Sequence, residues 1–510
     1  MKVITANQVA SLIQDNAYLG VGGFGAFGAP EELLIAIAEA YKWKGTPSNL
    51  TIISGISCGD MTKDGRGLNH LRAPGLIRTM IAAHVGVPAS IGNAIGENKI
   101  AGFMLPMGVY DNLLRAKAAN RPGFLTKVGL NTFCDPRIDG CKVNCLAKKC
   151  DAEIVRLMEI DGEEYLFYKT FPIDACIIRG TYADEDGNIS LKEEALIAEQ
   201  LEMAMATRNT GGKVFVQVKE IVSSGTLPAK EVHIHHKFVD YVIVAKPENH
   251  PQGFDNPELR WELTGEKRVP LESIPEMELS VRKVIARRAA QDLENGALVN
   301  LGIGMPDGVA MIANEEGINV TLSIESGTLG GVPVGGLGLG ASVNPDAIYH
   351  IADNFDMYDG GGLDMAFLGA AQIDKHGNVN VSKFGSKCTG PGGFIDITQS
   401  TKKVYFMGTF TAGKAEYEIK DGEIHIVKDG TGIKFVDQVE QITFSAKYAR
   451  NNDQQVCYIT ERAVFELTEE GFLLTEIAPG VDLQKDILDK MEFAPVISSN
   501  LKTMDAQIFS

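Results

Sequence analysis

The feature that most restricts how this 510-residue chain can fold is that it repeats itself. Residues 173–190, IDACIIRGTYADEDGNIS, lie without a gap on 363–380, LDMAFLGAAQIDKHGNVN. Asp174 meets Asp364, Asp184 meets Asp374, and Gly187-Asn188 meets Gly377-Asn378, all at an offset of 190. The same offset lays Lys213-Val214-Phe215-Val216 over Lys403-Val404-Tyr405-Phe406. Each copy reads as a buried strand, a loop and a tight Asp-x-x-Gly-Asn turn whose glycine and asparagine suit positive φ.

The openings of the two halves also match. Asp15 to Pro30 gives a strand (LGVGG), a glycine loop, and then Pro30-Glu31-Glu32 at the start of an apolar-periodic helix to Ala40. Asp292 to Pro306 gives the same order, with ALVNLGIG before Met305-Pro306 and a helix through Ala313. Proline and acids in the first turn are helix-start signals. Next, Asn49-Leu-Thr-Ile-Ile-Ser-Gly55 matches Asn319-Val-Thr-Leu-Ser-Ile-Glu325. One copy therefore ends its strand in Gly55 and the other in Glu325, followed by Ser326-Gly327 and Gly330-Gly331. A charge ending a buried strand is costly to desolvate unless the site supplies donors or uses it. From that segment alone a carboxylate capping the next turn is the preferred reading of Glu325.

Strands alternating with helices in both halves predict α/β architecture: two homologous open α/β domains with parallel sheets, and ligands near the carboxyl ends of the strands. The expected boundaries are an N-terminal half over 1–246, a loosely packed linker over 247–278 and a C-terminal half over 279–510. The linker is centred on the Pro-, Asn- and charge-rich run Pro247–Pro275, and a helix follows from about Leu279 to Leu293. With only one copy specialised, the active site is expected at the interface of the two.

Charge narrows the function. The net charge of −18, from 48 basic against 66 acidic residues, argues against a nucleic-acid or anionic-membrane surface. No run approaches the ~18 apolar residues of a membrane span. The start, MKVITANQVASLIQDN, is interrupted by polar residues and does not read as a secretory signal. Eight cysteines in so long a chain read as reduced thiols, and the expected location is the cytoplasm.

Several motifs invite other readings. Gly23-Phe24-Gly25-Ala26-Phe27-Gly28 satisfies G-x-G-x-x-G, but a dinucleotide fold wants an acid ending the next strand, and here Ser54-Gly55 end it. Gly55-Ile-Ser57-Cys-Gly59 satisfies G-x-S-x-G, yet a loop rather than a helix follows the serine. Cys134, Cys141, Cys145 and Cys150 contain no close C-x-x-C pair, and His233-Ile-His235-His236 reads as the polar start of a strand over 238–245, so no metal site is assigned. No P-loop is present to support ATP-driven ligation.

Taken in order, a longer set of motifs has a family look. It comprises VGGFGAFGAPEEL, LNTFCDPRIDG (130–140), YLFYKTFPIDACIIRGTYADEDGNIS, VNLGIGMPDGVA, IESGTLGGVPVGG, YDGGGLDMAFLG, VSKFG, GGFIDITQSTKKV, FMGTFTAG and VEQITF, and ends with TEIAPGVDLQKDILDKMEFAP. Over nearly its whole length the chain resembles class I coenzyme A transferases, most closely the propionate/acetate type with both halves fused in one polypeptide.

The resemblance implies an acyl-CoA:carboxylate CoA-transferase acting on short-chain acids by a ping-pong route, with Glu325 as nucleophile. It places Gly385 at the thioester oxygen, and the loop of Gly23, Phe24, Gly25 and Gly28 with Met107 at the carboxylate pocket. Gly302, Gly304 and Gly327 are the implied CoA-binding positions. No metal or permanently bound cofactor is needed, because CoA and acyl-CoA are substrates, and the implied assembly is a homo-oligomer, a dimer or tetramer. A carboxylate is ordinarily ionised at neutral pH, so attack needs no general base. One departure stands out: Leu105-Pro106-Met107-Gly108 carries methionine where the family usually has glutamine, and a thioether donates no conventional hydrogen bond. Cysteines and Asp139 replace commoner glycines in CDPRIDGCKVN.

Three other readings compete. An acyl-CoA hydrolase on the same scaffold would release free CoA without an acceptor. A non-catalytic acyl-CoA-binding sensor would not need Glu325. A dinucleotide oxidoreductase would bind NAD(P)H or flavin.

Overall fold

The computed structural model describes residues 2–62, 65–271, 276–302, 304–469 and 471–510. Packing divides the chain into two compact units. The first is Met1–Val269 with Ile324–Asp356 and Lys383–Asp396; the second is Pro270–Ser323 with Met357–Ser382 and Ile397–Ser510. The segments 324–356 and 383–396 thus belong to the second half by sequence and to the first unit by packing. Glu325 and the Gly23–Gly28 loop lie in one unit.

The first unit is built on an eight-stranded parallel sheet. Its strands in chain order are β1 (Lys2–Val3), β2 (Tyr18–Val21), β3 (Leu50–Ile56), β4 (Ile77–His84), β5 (Ala101–Met104), β6 (Ala175–Arg179), β7 (Lys213–Val218) and β8 (Tyr241–Val244), arranged β1-β8-β7-β6-β2-β3-β4-β5. Every residue of β3 is buried, as expected of a parallel strand covered on both faces. Helix α1 (Glu31–Lys44) starts after Pro30, carries Glu31 and Glu32 in its first turn and Lys42 and Lys44 in its last, and stops at Gly45 with φ 71°. It buries Leu33, Leu34 and Ile37, each worth roughly 1.5–3 kcal/mol. Helices α2 (Met107–Ala118) and α3 (Gln200–Asn209) complete the surroundings of the site.

The second unit contains helices α4 (Val281–Ala290) and α5 (Asp307–Glu316) and the parallel strands β9 (Leu298–Leu301), β10 (Thr321–Ile324), β11 (Met365–Gly369), β12 (Lys403–Met407) and β13 (Gln455–Ile459), in the order β10-β9-β11-β12-β13. Helix α4 is shorter than the periodicity predicts: the Ser280 side chain caps its start by accepting from Lys283 N, and it ends at Ala290.

The duplication holds residue by residue. Lys213 pairs with Ala175 in β7 and β6, as Lys403 pairs with Met365 in β12 and β11. Asp174 Oδ2 accepts from Tyr18 N at 2.8 Å, and Asp364 Oδ2 accepts from Leu298 N at 2.8 Å. In the turns, Asp184 takes the backbone and side-chain N–H groups of Asn188, and Asp374 takes those of Asn378. Leu19 pairs with Ile52 and Val299 with Leu322, which puts Gly55 and Glu325 at equivalent positions.

The linker region differs from expectation. It was expected to be loosely packed, but Phe254 N donates to Ala26 O at 3.1 Å, Gly253 bridges to Phe27, and Gln252 and Leu263 are buried. Residues 272–275 of the expected linker lie outside the described residues. Likewise the strand expected over 238–245 is confined to β8, because His236–Phe238 form a 3-10 turn first.

Candidate active site

Glu325 follows β10 directly, at the carboxyl end where an α/β sheet presents its ligands. The turn carrying it is tied down from several sides. Gly327 N donates to Ile324 O at 3.0 Å, and Asn354 Nδ2 donates to the same oxygen at 3.2 Å. Ser326 Oγ donates to Gly340 O at 2.5 Å, and Tyr349 N donates to Gly327 O at 2.8 Å. Gly327 has φ 101°, and a Cβ there would collide with Tyr349 O.

The carboxylate itself faces bare main chain. A Cβ placed on Gly393 would stand 2.7 Å from Glu325 Oε2 and 2.9 Å from Cζ of Phe355, on helix α6 (Ile351–Asp359). Glycine at 393 is what leaves the carboxylate its space. Burial pushes the Glu325 carboxyl up to about 7, although the residue keeps some accessible surface. The expectation of a fully ionised carboxylate at neutral pH is corrected accordingly: desolvation disfavours the charged form and makes the anion a stronger base when it does form.

The glycine loop approaches from the other side. Phe24 and Phe27 exchange backbone hydrogen bonds at 2.9 Å, closing the loop on itself, while Gly25 N donates to Ile56 O at 2.9 Å. A Cβ on Gly340, whose carbonyl holds Ser326, would meet the Phe24 ring at 2.8 Å, and one on Gly25 would lie 3.9 Å from Leu339 O. Behind the loop, the Gln200 side chain accepts from Arg179 N at 3.1 Å, and its Nε2 lies 3.3 Å from a Cβ placed on Gly28. Glu199 is 1% exposed with its carboxyl beside Gly23 N–H, and burial pushes it up to about 8. The loop therefore offers backbone and a buried acid.

Met107 opens α2 and is fully buried. Its N donates to Gly392 O at 2.9 Å, one residue from Gly393, while its Cε reaches to 3.1 Å from a Cβ on Gly55. The Tyr110 ring comes equally close to that point. Segment 389–393 is laid over the end of β4, with Gly392 N donating to Ala83 O and Val85 N to Thr389 O. Met107, Gly25 (through Ile56) and Glu325 are thus linked around Gly392-Gly393, where a Cβ on Gly392 would stand 3.7 Å from Ile56 Cδ1.

The remaining sequence-derived positions are placed as follows. Gly385, φ 53°, sits at the tip of the hairpin formed by Lys383–Phe384 and Lys387–Cys388. Gly302 follows β9, its N donating to Phe367 O at 2.7 Å, and Gly304 N donates to Asp307 Oδ2 at 2.9 Å. Cys134 and Cys141 are buried, each thiol turned to a main-chain carbonyl, and among the described residues no cluster of His, Cys, Asp or Glu could hold a metal. Sequence reasoning missed Gly393, Phe355, Tyr110 and Glu199. Of these only Gly393 left a signal, inside the GGFIDITQSTKKV run.

A strand-end glutamate held against glycine backbone on a duplicated parallel α/β scaffold defines a class, and comparison with known proteins agrees: the chain belongs to the coenzyme A transferase family. The family's sequence profile, described as Coenzyme A transferase, matches residues 3–245. The chain is 47% identical to the caffeate CoA-transferase of Acetobacterium woodii over 100% of its own length and 97% of that protein's. It is 41% identical to the acetate CoA-transferase YdiF of Escherichia coli O157:H7, covering 99% of this chain and 95% of YdiF. The crystal structure of the YdiF apoenzyme superposes with a TM-score of 0.93 over 100% of this chain and 96% of that one, and a YdiF thioester complex with CoA does so at 0.92.

Proposed function

We propose that this protein moves CoA between short-chain acyl-CoA and carboxylate acceptors, with Glu325 as the covalent nucleophile. The observation that carries this reading is the Glu325 carboxylate set against Gly393 in the same unit as the Gly23–Gly28 loop. The ionised carboxylate attacks the thioester carbon, giving an acyl-glutamyl anhydride and CoA thiolate. The thiolate attacks the glutamyl carbonyl, releasing the first acid and leaving glutamyl-CoA. An incoming carboxylate runs the two steps in reverse and leaves as its CoA ester. Over the full cycle one thioester is broken and one is formed, so neither ATP nor a metal enters the balance, and the route is ping-pong.

Each tetrahedral intermediate places negative charge on an oxygen that was a carbonyl, and a preorganised N–H there is worth roughly 3–4 kcal/mol. Gly393, beside the carboxylate, and Gly385, from the family resemblance, are the backbone donors we assign. The loop of Gly23, Phe24, Gly25 and Gly28 with Met107 forms the acid pocket, and Gly302, Gly304 and Gly327 border CoA. CoA is substrate rather than a resident cofactor. Residence in the cytoplasm and assembly as a homo-oligomer complete the reading. Among the described residues no helix is long and apolar enough to cross a membrane.

Acetyl-CoA incubated with a panel of acids tests the proposal. Acetate and caffeate come first, since relatives are named for them, and apolar or aromatic acids are expected to suit Met107, Tyr110 and Phe355 better than hydroxylated short acids. New CoA esters with parallel double-reciprocal lines are expected. Release of free CoA without any acceptor would identify a hydrolase instead.

A further inference from the structure

The turn that carries Glu325 is laced to the segment 346–355, and side chains of α2 and α3 hold that segment in place. All of these residues belong to the first unit. Asp346 N donates to Leu329 O at 2.8 Å, Thr328–Leu329 pairs antiparallel with Ala347–Ile348, and Tyr349 N donates to Gly327 O at 2.8 Å. The chain at 346–349 therefore runs alongside the residues just after the nucleophile. Helix α6 then supplies Asn354, which donates to Ile324 O, and Phe355, which packs at the Gly393 wall.

His350 stands between that strand and that helix. Its Nδ1 lies 3.1 Å from Glu202 Oε1 and 3.4 Å from Glu202 Oε2. Glu202, on α3, is 4% exposed, and Arg115 of α2 approaches the same carboxylate at 3.5 Å. Arg115 also donates to Asp353 Oδ1 at 2.6 Å and lies 3.6 Å from Asp356 Oδ2, while Asn112 Nδ2 donates to Asp356 Oδ1 at 3.0 Å. These contacts differ in weight. Asp353 and Asp356 are more than half exposed, where an ion pair contributes little. Glu202 is buried, and a buried charge that loses a partner is strongly destabilised. Among the described residues its ion-pair partners are Arg115 and His350, and only His350 lies on the segment that bears on Glu325. The hydrogen bond to Glu202 keeps the His350 imidazolium above the ordinary histidine range, against the opposing effect of burial.

We propose that Glu202 and His350 form a positioning pair for the nucleophile: Glu202 anchors His350, and the anchored segment sets the Glu325 turn through the Tyr349 N–H and the Asn354 amide. The pair acts through main chain and not on the substrate. This rests on the reading of Glu325 as nucleophile given above and adds to it the contact, from the N-terminal half of the sequence, that holds the carboxylate at its attack position. Such a contact matters because a displacement of about an ångström is enough to slow a reacting group by about a hundredfold.

The test follows formation of the CoA adduct from acetyl-CoA by intact mass, which gives both its rate and its final stoichiometry. His350→Ala is expected to slow the rate by about ten- to a hundredfold while the stoichiometry reaches the wild-type level. His350→Asn, whose side-chain N–H sits where Nδ1 does, should recover most of the rate. Glu202→Leu should match His350→Ala, and the double variant should be no slower than either, because the two residues act as one unit. An unchanged rate in His350→Ala, a His350→Asn protein no faster than His350→Ala, or a lowered stoichiometry with a normal rate in the chains that react would overturn the assignment. The last result would show that the pair serves folding alone. A wild type that forms no adduct would overturn the functional reading instead, and hydrogen exchange would still decide the anchor. The peptide containing Tyr349 should exchange about tenfold faster in His350→Ala, and exchange that ignores the substitution would contradict the anchoring role.

Discussion

Gly55 and Glu325 occupy the same place in two copies of one motif, and their surroundings have diverged in opposite ways. At the end of β3 the space beyond the α carbon is filled: a Cβ on Gly55 would stand 3.1 Å from both Met107 Cε and Tyr110 Cε1. At the end of β10 the chain carries a full glutamate side chain, and the facing segment has given up its own side chain at Gly393 to admit it. The duplicated scaffold supplies the strand end twice, but a carboxylate follows it only where the opposite wall is glycine. The difference between the copies therefore involves a pair of positions. Its mirror image, a glycine facing bulky side chains, is found in the other copy.

That pairing can be broken from either side. Restoring a side chain to the wall with Gly393→Ala should push the carboxylate off its position and lower kcat by about a hundredfold, the usual result of misplacing a reacting group by an ångström. Steady-state kinetics on refolding-competent protein checks this, and a variant with normal kcat would show that the close approach is incidental.

The second effect is on stability. The Glu325 carboxyl stands at about 7 in the folded chain against an ordinary 4.5. Below pH 4.5 it is protonated folded or unfolded and imposes no penalty. Between 4.5 and about 7 only the unfolded chain releases the proton, so stability falls with rising pH, and above about 7 the loss is complete. Glu325→Gln, neutral throughout, should therefore be more stable than wild type by about 3 kcal/mol above pH 8 and no more stable near pH 4. Denaturation midpoints across pH measure it, and a pH-independent difference would contradict the raised value. The same group predicts that wild-type kcat/KM for acyl-CoA climbs with pH and levels off above about 7.

Filling the other copy should be milder. Gly55→Ala presses on a flexible thioether and a tyrosine ring and is expected to cost roughly 1–3 kcal/mol of overpacking, read as a lower melting temperature. Unchanged stability would mean that Met107 and Tyr110 are not wedged against that position. Smallest is Met107→Gln, which should shift the ratio of kcat/KM between a hydroxylated and an apolar acid several-fold toward the hydroxylated one, since it adds a donor to an apolar wall. An unaltered ratio would place Met107 outside the acid's reach.

Much of this comparison was legible in the amino acids. The 190-residue offset laid β6 on β11 and β7 on β12, and the two strand pairs share one register in the fold. The match of Gly55 to Glu325 came from aligning two short strands, and it survives in the pairing of Ile52 and Leu322. What the sequence did not reveal is long-range. Nothing local in 324–356 or 383–396 says that these segments pack into the first unit. The partner of a strand end is set by whichever loop returns there, and so Gly393 went unassigned while Gly385, eight residues earlier, drew attention through VSKFG. Charge state was equally out of reach, since the shifts of Glu325 and Glu199 arise from burial. The Pro-rich region after Pro247 looked loose because composition registers flexibility, whereas Phe254 and Gly253 are held by the glycine loop.

The claim on which the rest depends is that Glu325 becomes covalently attached to CoA. Incubating the protein with acetyl-CoA and no acceptor, then measuring intact mass and mapping peptides, tests it directly. The account predicts a CoA adduct on the peptide containing Glu325, discharged by added acetate and absent from Glu325→Gln. An adduct on another residue, or a Glu325→Gln protein that still transfers CoA at near wild-type rate, would contradict it.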